Sequence, residues 1–336
     1  RELLELHTLG VDGGYTQQDI INVARAFTGW TLDAPRRGGE GFVFRPGMHD
    51  AGEKLVLGHT LEARRGIEDG EQVLDIVARH PSTARFIATK LARRFVSDSP
   101  PSELVERVAA VFTRTNGDLR ETLRAVITSP EFFSRQAYRA KVKSPFELVV
   151  SGMRALGARP DSTPRTAQVV ARLGQPLFLH QAPNGYPETG NAWINTGAIL
   201  NRINFGLALA GGRLPGAAVG AWPGARQLAS ASHAEQVDGV IRTLLGGEAS
   251  PDTRQILESG VNPLLAGAAP DTAANMTGDA GGAAGGAEDE EEMRAQGERV
   301  RRRRDMRGNP LGRPVELRGL EQIVGLALGA PEFQRR

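Results

Sequence analysis

The chain has 336 residues, 40% of them hydrophobic, with 41 basic against 39 acidic side chains and a formal charge of +2 at pH 7. That length can bury a substantial core in one large domain or two ordinary ones, and so balanced a charge argues against a general nucleic-acid binder, which clusters basic residues on one face. Cysteine is absent, which excludes disulfides, cysteine nucleophiles and thiolate metal sites, and no run approaches the roughly 20 apolar residues of a membrane-spanning helix.

The chain opens without methionine, inside an apolar-periodic run (Leu3, Leu4, Leu6) with no capping residue before it. This reads as a helix cut through its middle, with any signal peptide in the missing part. The helix is expected to stop at Gly10, a good residue just past a helix end. After turn material at Val11 to Tyr15, Thr16 caps a second helix, with Asp19 completing a capping box, and that helix runs to Thr28-Gly29-Trp30. Residues 31–67 lose helical periodicity. Phe42-Val43-Phe44 and Lys54-Leu55-Val56-Leu57 are predicted to be the two strands of one extended hairpin over about 40–58, with Pro46 to Asp50 near its tip.

Helical spacing then takes over. Phe86, Ile87, Leu91 and Phe95 are expected on the apolar face of a helix entered at Pro81-Ser82. Leu104, Val108, Val111 and Phe112 repeat at i, i+4, i+7, i+8, as do Leu119, Leu123, Val126 and Ile127, and Asn116-Gly117-Asp118 turns the chain between those two helices. Ser144-Pro145 starts another helix with a buried stripe of Phe146, Val149, Val150, Met153 and Leu156. Further helices are predicted at about 164–173, 192–210, 234–246, 251–259 and 317–329. One echo links Ser129-Pro130-Glu131-Phe132 to Ala330-Pro331-Glu332-Phe333, each ending an amphipathic helix.

The resulting fold class is mainly α: a multi-helical array with a small β-hairpin excursion near residues 40–58. The domain plan is a helical domain over 1–264, a low-complexity segment at 265–312, and a C-terminal helix in 313–336 packing back on the helical domain. The middle segment is rich in Ala, Gly, Pro and Asp, passes through an acidic run at Glu288 to Glu292 and ends in Arg301 to Arg304. With few large apolar residues to offset chain entropy, it is expected to stay disordered, and its arginines read as part of a solvated, partly self-neutralised linker rather than a nucleic-acid site.

Two segments carry candidate chemistry. His49-Asp50 lies in a glycine-rich loop that can present an imidazole beside a carboxylate, as a metal site or as a base with its orienting acid; His59, and Glu53 in support, can join if the hairpin returns. The structural alternative has Asp50 capping a turn and His49 bonded to a carbonyl. The sequence names no cofactor; the one this loop suggests is a divalent metal. The second segment runs from Pro183 to Thr196, where Tyr186, Asn191, Trp193 and Asn195 can stack on and hydrogen-bond a sugar or peptide. The structural alternative has Tyr186 and Trp193 plugging the core while Asn191 caps the next helix. His80 before Pro81 reads as a cap, and His7 as a satisfied interior histidine. His-Glu-x-x-His, Gly-x-Ser-x-Gly and Walker A spacings are absent.

Several separated landmarks agree in order: Arg1 to Gly10, Ala26-Phe27-Thr28-Gly29-Trp30, His49-Asp50 with Lys54 and Leu57-Gly58, His80 to Phe86, Trp193-Ile194-Asn195-Thr196 and the terminal Pro331 to Arg336. Together they resemble the bacterial family catalogued as domain-of-unknown-function family 1800. The likeness implies a mainly helical protein with a further helical portion before Arg1. Genes of that family often neighbour those of an exported, sulfatase-like family (number 1501). The resemblance therefore implies an extracytoplasmic binding or assembly partner of such a protein. The alternative is a metal-assisted hydrolase acting on polysaccharide or cell-surface material through the His49-Asp50 loop.

Overall fold

The computed structural model describes residues 1–33, 41–159, 162–261, 311 and 316–336. Residues 262–310 lie outside it, and with them nearly all of the segment expected to be disordered. Helices dominate, and the strands among the described residues form two small antiparallel sheets of two strands each. By internal contacts the chain makes two compact units, Arg1–Ala140 with Gln181–Glu188, and Lys141–His180 with Thr189–Arg336. No described helix is long and apolar enough to cross a membrane.

The first unit opens on Leu3–Thr8, wound as a π-helical turn rather than the expected α-helix. Thr8 Oγ1 donates to the Leu3 carbonyl at 2.6 Å, inserting a hydroxyl where the backbone ladder would close. The Thr16–Asp19 capping box then starts α1 (Gln17–Ala26), and the second Asp19 oxygen accepts from Leu57 N at 2.7 Å, tying α1 to the sheet region.

The single hairpin expected over 40–58 is two hairpins. β1 (Trp30–Asp33) pairs with β2 (Gly41–Phe44), and β3 (Lys54–Val56) pairs with β4 (His59–Leu61). Phe42-Val43-Phe44 and Lys54-Leu55-Val56 therefore each have another partner. The reason is local: Leu57 (φ 49°) and Gly58 (φ 79°) both adopt left-handed backbone, the two-residue turn that folds a strand straight back.

Four helices follow: α2 (Glu68–Arg79), α3 (Pro81–Phe95), α4 (Ser102–Arg114) and α5 (Leu119–Ile127). On α3 the buried positions are not the large residues expected but Thr83, Ala84, Ala88 and Ala92, while Phe95 is 37% exposed. Small side chains let α3 and α4 approach closely, with Ile87 and Leu91 packed against the same cluster, whereas Phe86 lies against Gly10. Asn116 and Gly117 make the predicted turn, both with left-handed backbone, and Asp118 caps α5 by accepting from Arg120 N and Glu121 N.

The second unit comprises α6 (Pro145–Ala155), α7 (Arg165–Arg172), α8 (Thr196–Ala210), α9 (Ala225–Leu228), α10 (His233–Leu244), α11 (Pro251–Ser259) and α12 (Gly319–Gly329). The helix expected at Ser144-Pro145 is α6, which Ser144 starts through a capping box with Glu147, but its stripe is rotated: Leu148, Val149, Met153 and Leu156 are buried and Phe146 is 44% exposed. α12 packs against α8, α10 and α11. Its contact with α8 is set by glycines, since a Cβ on Gly206 would stand 2.6 Å from the Gly325 carbonyl oxygen and one on Gly325 would stand 2.9 Å from Leu207. The chain end is sewn in by antiparallel backbone bonds between Lys141–Lys143 and Gln334–Arg336. In the echoed endings, Glu131 accepts from Arg107 at 2.6 Å in the first unit, and Glu332 accepts from Ser250 N at 2.7 Å and Thr253 Oγ1 at 3.0 Å in the second.

Candidate functional site

The landmark Thr28-Gly29-Trp30 is the hinge of the first unit's polar interior. Where α1 ends, Thr28 Oγ1 donates to the Arg25 carbonyl (2.6 Å) and accepts from Asp50 N (2.8 Å). Gly29 sits at φ 84°, and a Cβ there would stand 2.9 Å from both the Arg45 carbonyl oxygen and Phe44, so glycine is required twice over. Trp30 then lies on α2 at Gly70, where an added Cβ would stand 2.5 Å from the indole.

His49 is held by this turn. Its Nδ1 lies 2.8 Å from the Thr28 carbonyl oxygen, which can only accept, so Nδ1 carries a proton. Its Nε2 faces Asp69 Oδ2 at 3.3 Å, and the two side chains are 2% and 0% exposed. Lys54, also 0% exposed, places Nζ 2.8 Å from the same Asp69 oxygen and 2.8 Å from the Gly52 carbonyl, and donates to the Asp50 carbonyl as well. Its three protons have three acceptors. Arg65 Nε approaches the other Asp69 oxygen at 3.3 Å. One carboxylate at the start of α2 thus gathers an imidazole, an ammonium and a guanidinium from a loop, a strand and a second loop. The His49 Nε2 and Asp69 Oδ1 contacts are at ion-pair distance without hydrogen-bond alignment, and the indole N–H of Trp30 is also buried without a partner.

Asp50, the predicted companion of His49, points elsewhere. It accepts from Arg25 Nε at 2.8 Å and Nη2 at 3.2 Å, and from Gly52 N at 2.9 Å. The Arg25 guanidinium and then the Gly52 N–H hold its carboxyl well below the usual carboxylate range. His59 and Glu53 are exposed, His59 on β4. His59 is felt instead by His80, whose ring is pushed down first by burial and then by that neighbouring charge. His80 Nδ1 accepts from Ser82 N at 3.2 Å and so caps α3, while His7 is exposed rather than interior. Among the described residues, no three His, Asp or Glu side chains gather as a metal site would need.

The second segment is divided between the units. Tyr186, half-buried, belongs to the first, where its neighbour Glu188 pairs with Lys90 at 2.8 Å; Asn191, Trp193 and Asn195 belong to the second. Gly190–Trp193 form a separate short 3-10 turn, ended by extended backbone at Ile194. The cap of α8 is consequently Asn195, accepting from Ala198 N at 2.8 Å, rather than Asn191, which is exposed and accepts from Thr189 Oγ1. Trp193 is buried at 9% exposure. The residues that sequence reasoning passed over are Asp69, Arg65 and Arg202. The signal for Arg202 was a lone charge in the apolar run Ile199 to Leu209.

The geometry defines a class: a mainly helical protein whose early landmarks hold together a buried charge centre. The model of the protein family of unknown function DUF1800 matches residues 1–335, and the chain belongs to that family. No curated protein and no solved structure matches.

Proposed function

We propose that this protein is a binding or assembly component, and that the exported sulfatase-like protein implied by its family docks on the β1–β2 hairpin. One observation carries the reading. Leu32 and Phe42 oppose each other across the two strands and are 73% and 54% exposed. A cross-strand apolar pair left in water on a sheet of only two strands offers both an apolar anchor and open edges for strand addition. Fully burying such a side chain from water contributes about 1.5–3 kcal/mol, and the exposed part of each would supply its share of that. The groups best suited to catalysis, by contrast, are committed to one another beneath the surface.

The test is titration of a purified sulfatase-like protein of family 1501 against wild type and a Leu32→Ser/Phe42→Ser double variant, with circular dichroism to check the fold. The double variant is expected to bind at least tenfold more weakly. Absence of a wild-type complex at tens of micromolar, or equal binding by both, overturns the proposal. Metal analysis supplies the contrast: stoichiometric zinc or manganese that is lost on His49→Ala would favour the metal-assisted hydrolase.

A further inference from the structure

Arg202, on the second turn of α8, is 4% exposed, yet no described carboxylate pairs with it. Its Nη1 donates to Gln334 Oε1 at 2.9 Å and its Nη2 to the Lys143 carbonyl at 2.8 Å. A guanidinium has five N–H donors, so two neutral acceptors leave donors to spare and the charge unbalanced. Burying a cation without a counter-charge is costly, and proteins ordinarily pair it. Nearby acids are engaged elsewhere: Glu147 closes the capping box of α6 and pairs with Arg336 at 3.1 Å, while Glu332 holds the start of α11. Burial alone depresses the arginine's affinity for its own proton, a cost that an anion would relieve.

The side chain lines a cavity of about 200 Å³ whose walls include Val142, Ile194, Ile199 and Pro331, and whose second cation is the exposed Arg335. Among the described residues, no carboxylate lines it. Ile194 and Ile199 are 41% and 43% exposed. Apolar walls disfavour a bare, strongly hydrated inorganic anion, and two guanidiniums disfavour a neutral or cationic guest. At roughly 30 Å³ per water, the space corresponds to about seven waters, which suits a short acyl body.

We infer that this cavity is a binding site for a small amphipathic carboxylate, its apolar body against Ile194, Ile199 and Val142 and its anion on Arg202. The site lies wholly in the second unit and stands apart from the hairpin docking proposed above.

The test uses the full chain and octanoate as the probe, with octanamide and acetate as controls, read by calorimetry and by thermal shift. Octanoate is expected to bind at one site and raise the melting temperature, and both controls to bind at least tenfold more weakly. Arg202→Met should abolish the difference between octanoate and octanamide, and Arg335→Ala should weaken octanoate by a smaller factor. Should Arg202→Met fail to fold, Ile199→Trp fills the cavity from an exposed position and is expected to leave the unliganded melting temperature in place while removing octanoate binding. Equal affinity for octanoate and octanamide, equal affinity for acetate, no octanoate binding to wild type, or full binding by Ile199→Trp each overturns the inference.

Discussion

Asp69 balances three basic side chains, and the cost of losing it follows from what it would leave behind. With Lys54 and Asp69 both 0% exposed, Asp69→Ala strands a buried ammonium, and such a break costs about 3–5 kcal/mol. Urea unfolding should show that loss, and Lys54→Met/Asp69→Leu should recover a good part of it, because removing both charges removes the uncompensated one. An Asp69→Ala protein as stable as wild type would contradict the structural role given to this centre. Asp50 makes a different prediction. Its carboxyl is held low by Arg25 and Gly52, so the native state binds fewer protons here than the unfolded chain. Its contribution is complete above the ordinary aspartate value of about 3.9 and fades as acid protonates the folded form. Asp50→Asn should therefore lower stability at neutral pH and flatten the acid loss that wild type shows below about pH 4. At this scale the sequence pointed to the right loop and the wrong pairing. His49 and Asp50 are adjacent and look like a unit, but successive side chains in extended backbone diverge. His49 meets the Thr28 carbonyl, 21 positions back, and Asp69, 20 positions on, a convergence that no spacing rule encodes. An aspartate in the first turn of a helix reads as ordinary dipole complementarity.

Elements were legible where local chemistry decides them. The capping box at Thr16, the helix start at Ser144-Pro145 and the cap at Asp118 rest on bonds within three residues, and the turn at Asn116-Gly117 on the residues themselves. Faces were less legible, because α3 buries alanines where it meets α4 and leaves Phe95 at the edge, a choice made by the neighbouring helix rather than by hydrophobicity. The hairpins were misread because the strong strand formers, Phe42 to Phe44 and Lys54 to Leu57, hid weaker partners at Trp30–Asp33 and His59–Leu61. The α3 cap supplies a test at this scale. His80 is pushed below its ordinary value by burial and then by His59, so the native state releases its proton more readily than the unfolded chain. Stability from this group is therefore complete above the ordinary histidine value, about 6.5, and falls as pH drops through the folded value. His80→Asn keeps a capping acceptor for Ser82 N and cannot titrate. Denaturation midpoints measured from pH 5 to 7.5 should rise less steeply for the variant than for wild type. Identical slopes would show that the His80 ring contributes nothing to the pH dependence.

On the scale of the molecule, the two units carry separate apolar clusters. Leu4, Val23, Val56, Leu61 and Val73 form one cluster in the first unit and Ala88, Leu104, Val108 and Val126 another, whereas Phe205, Leu209, Val240, Val324 and Leu328 belong to the second. The sequence could not show this division, because residues 181–188 belong to the first unit while the flanking chain belongs to the second, and only long-range contacts reveal such a return. The centre of the second core is the glycine seam of α8 and α12. A side chain on Gly206 meets the Gly325 carbonyl oxygen and Gly329 N, backbone atoms that cannot rotate aside. Overpacking of this kind costs about 1–3 kcal/mol, occasionally more, and here the helices themselves must separate. Gly206→Val should therefore raise amide hydrogen exchange through α8, α10, α11 and α12, the helices sharing that core. Exchange in α2, α3 and α4, whose amides rest on other clusters, should stay near wild-type rates, since opening proceeds through cooperative units rather than residue by residue. Mass-resolved exchange of the full chain distinguishes the outcomes: protection lost equally in α3 and α8 would mean that one cooperative body spans both cores, and the separation of clusters would carry no energetic meaning.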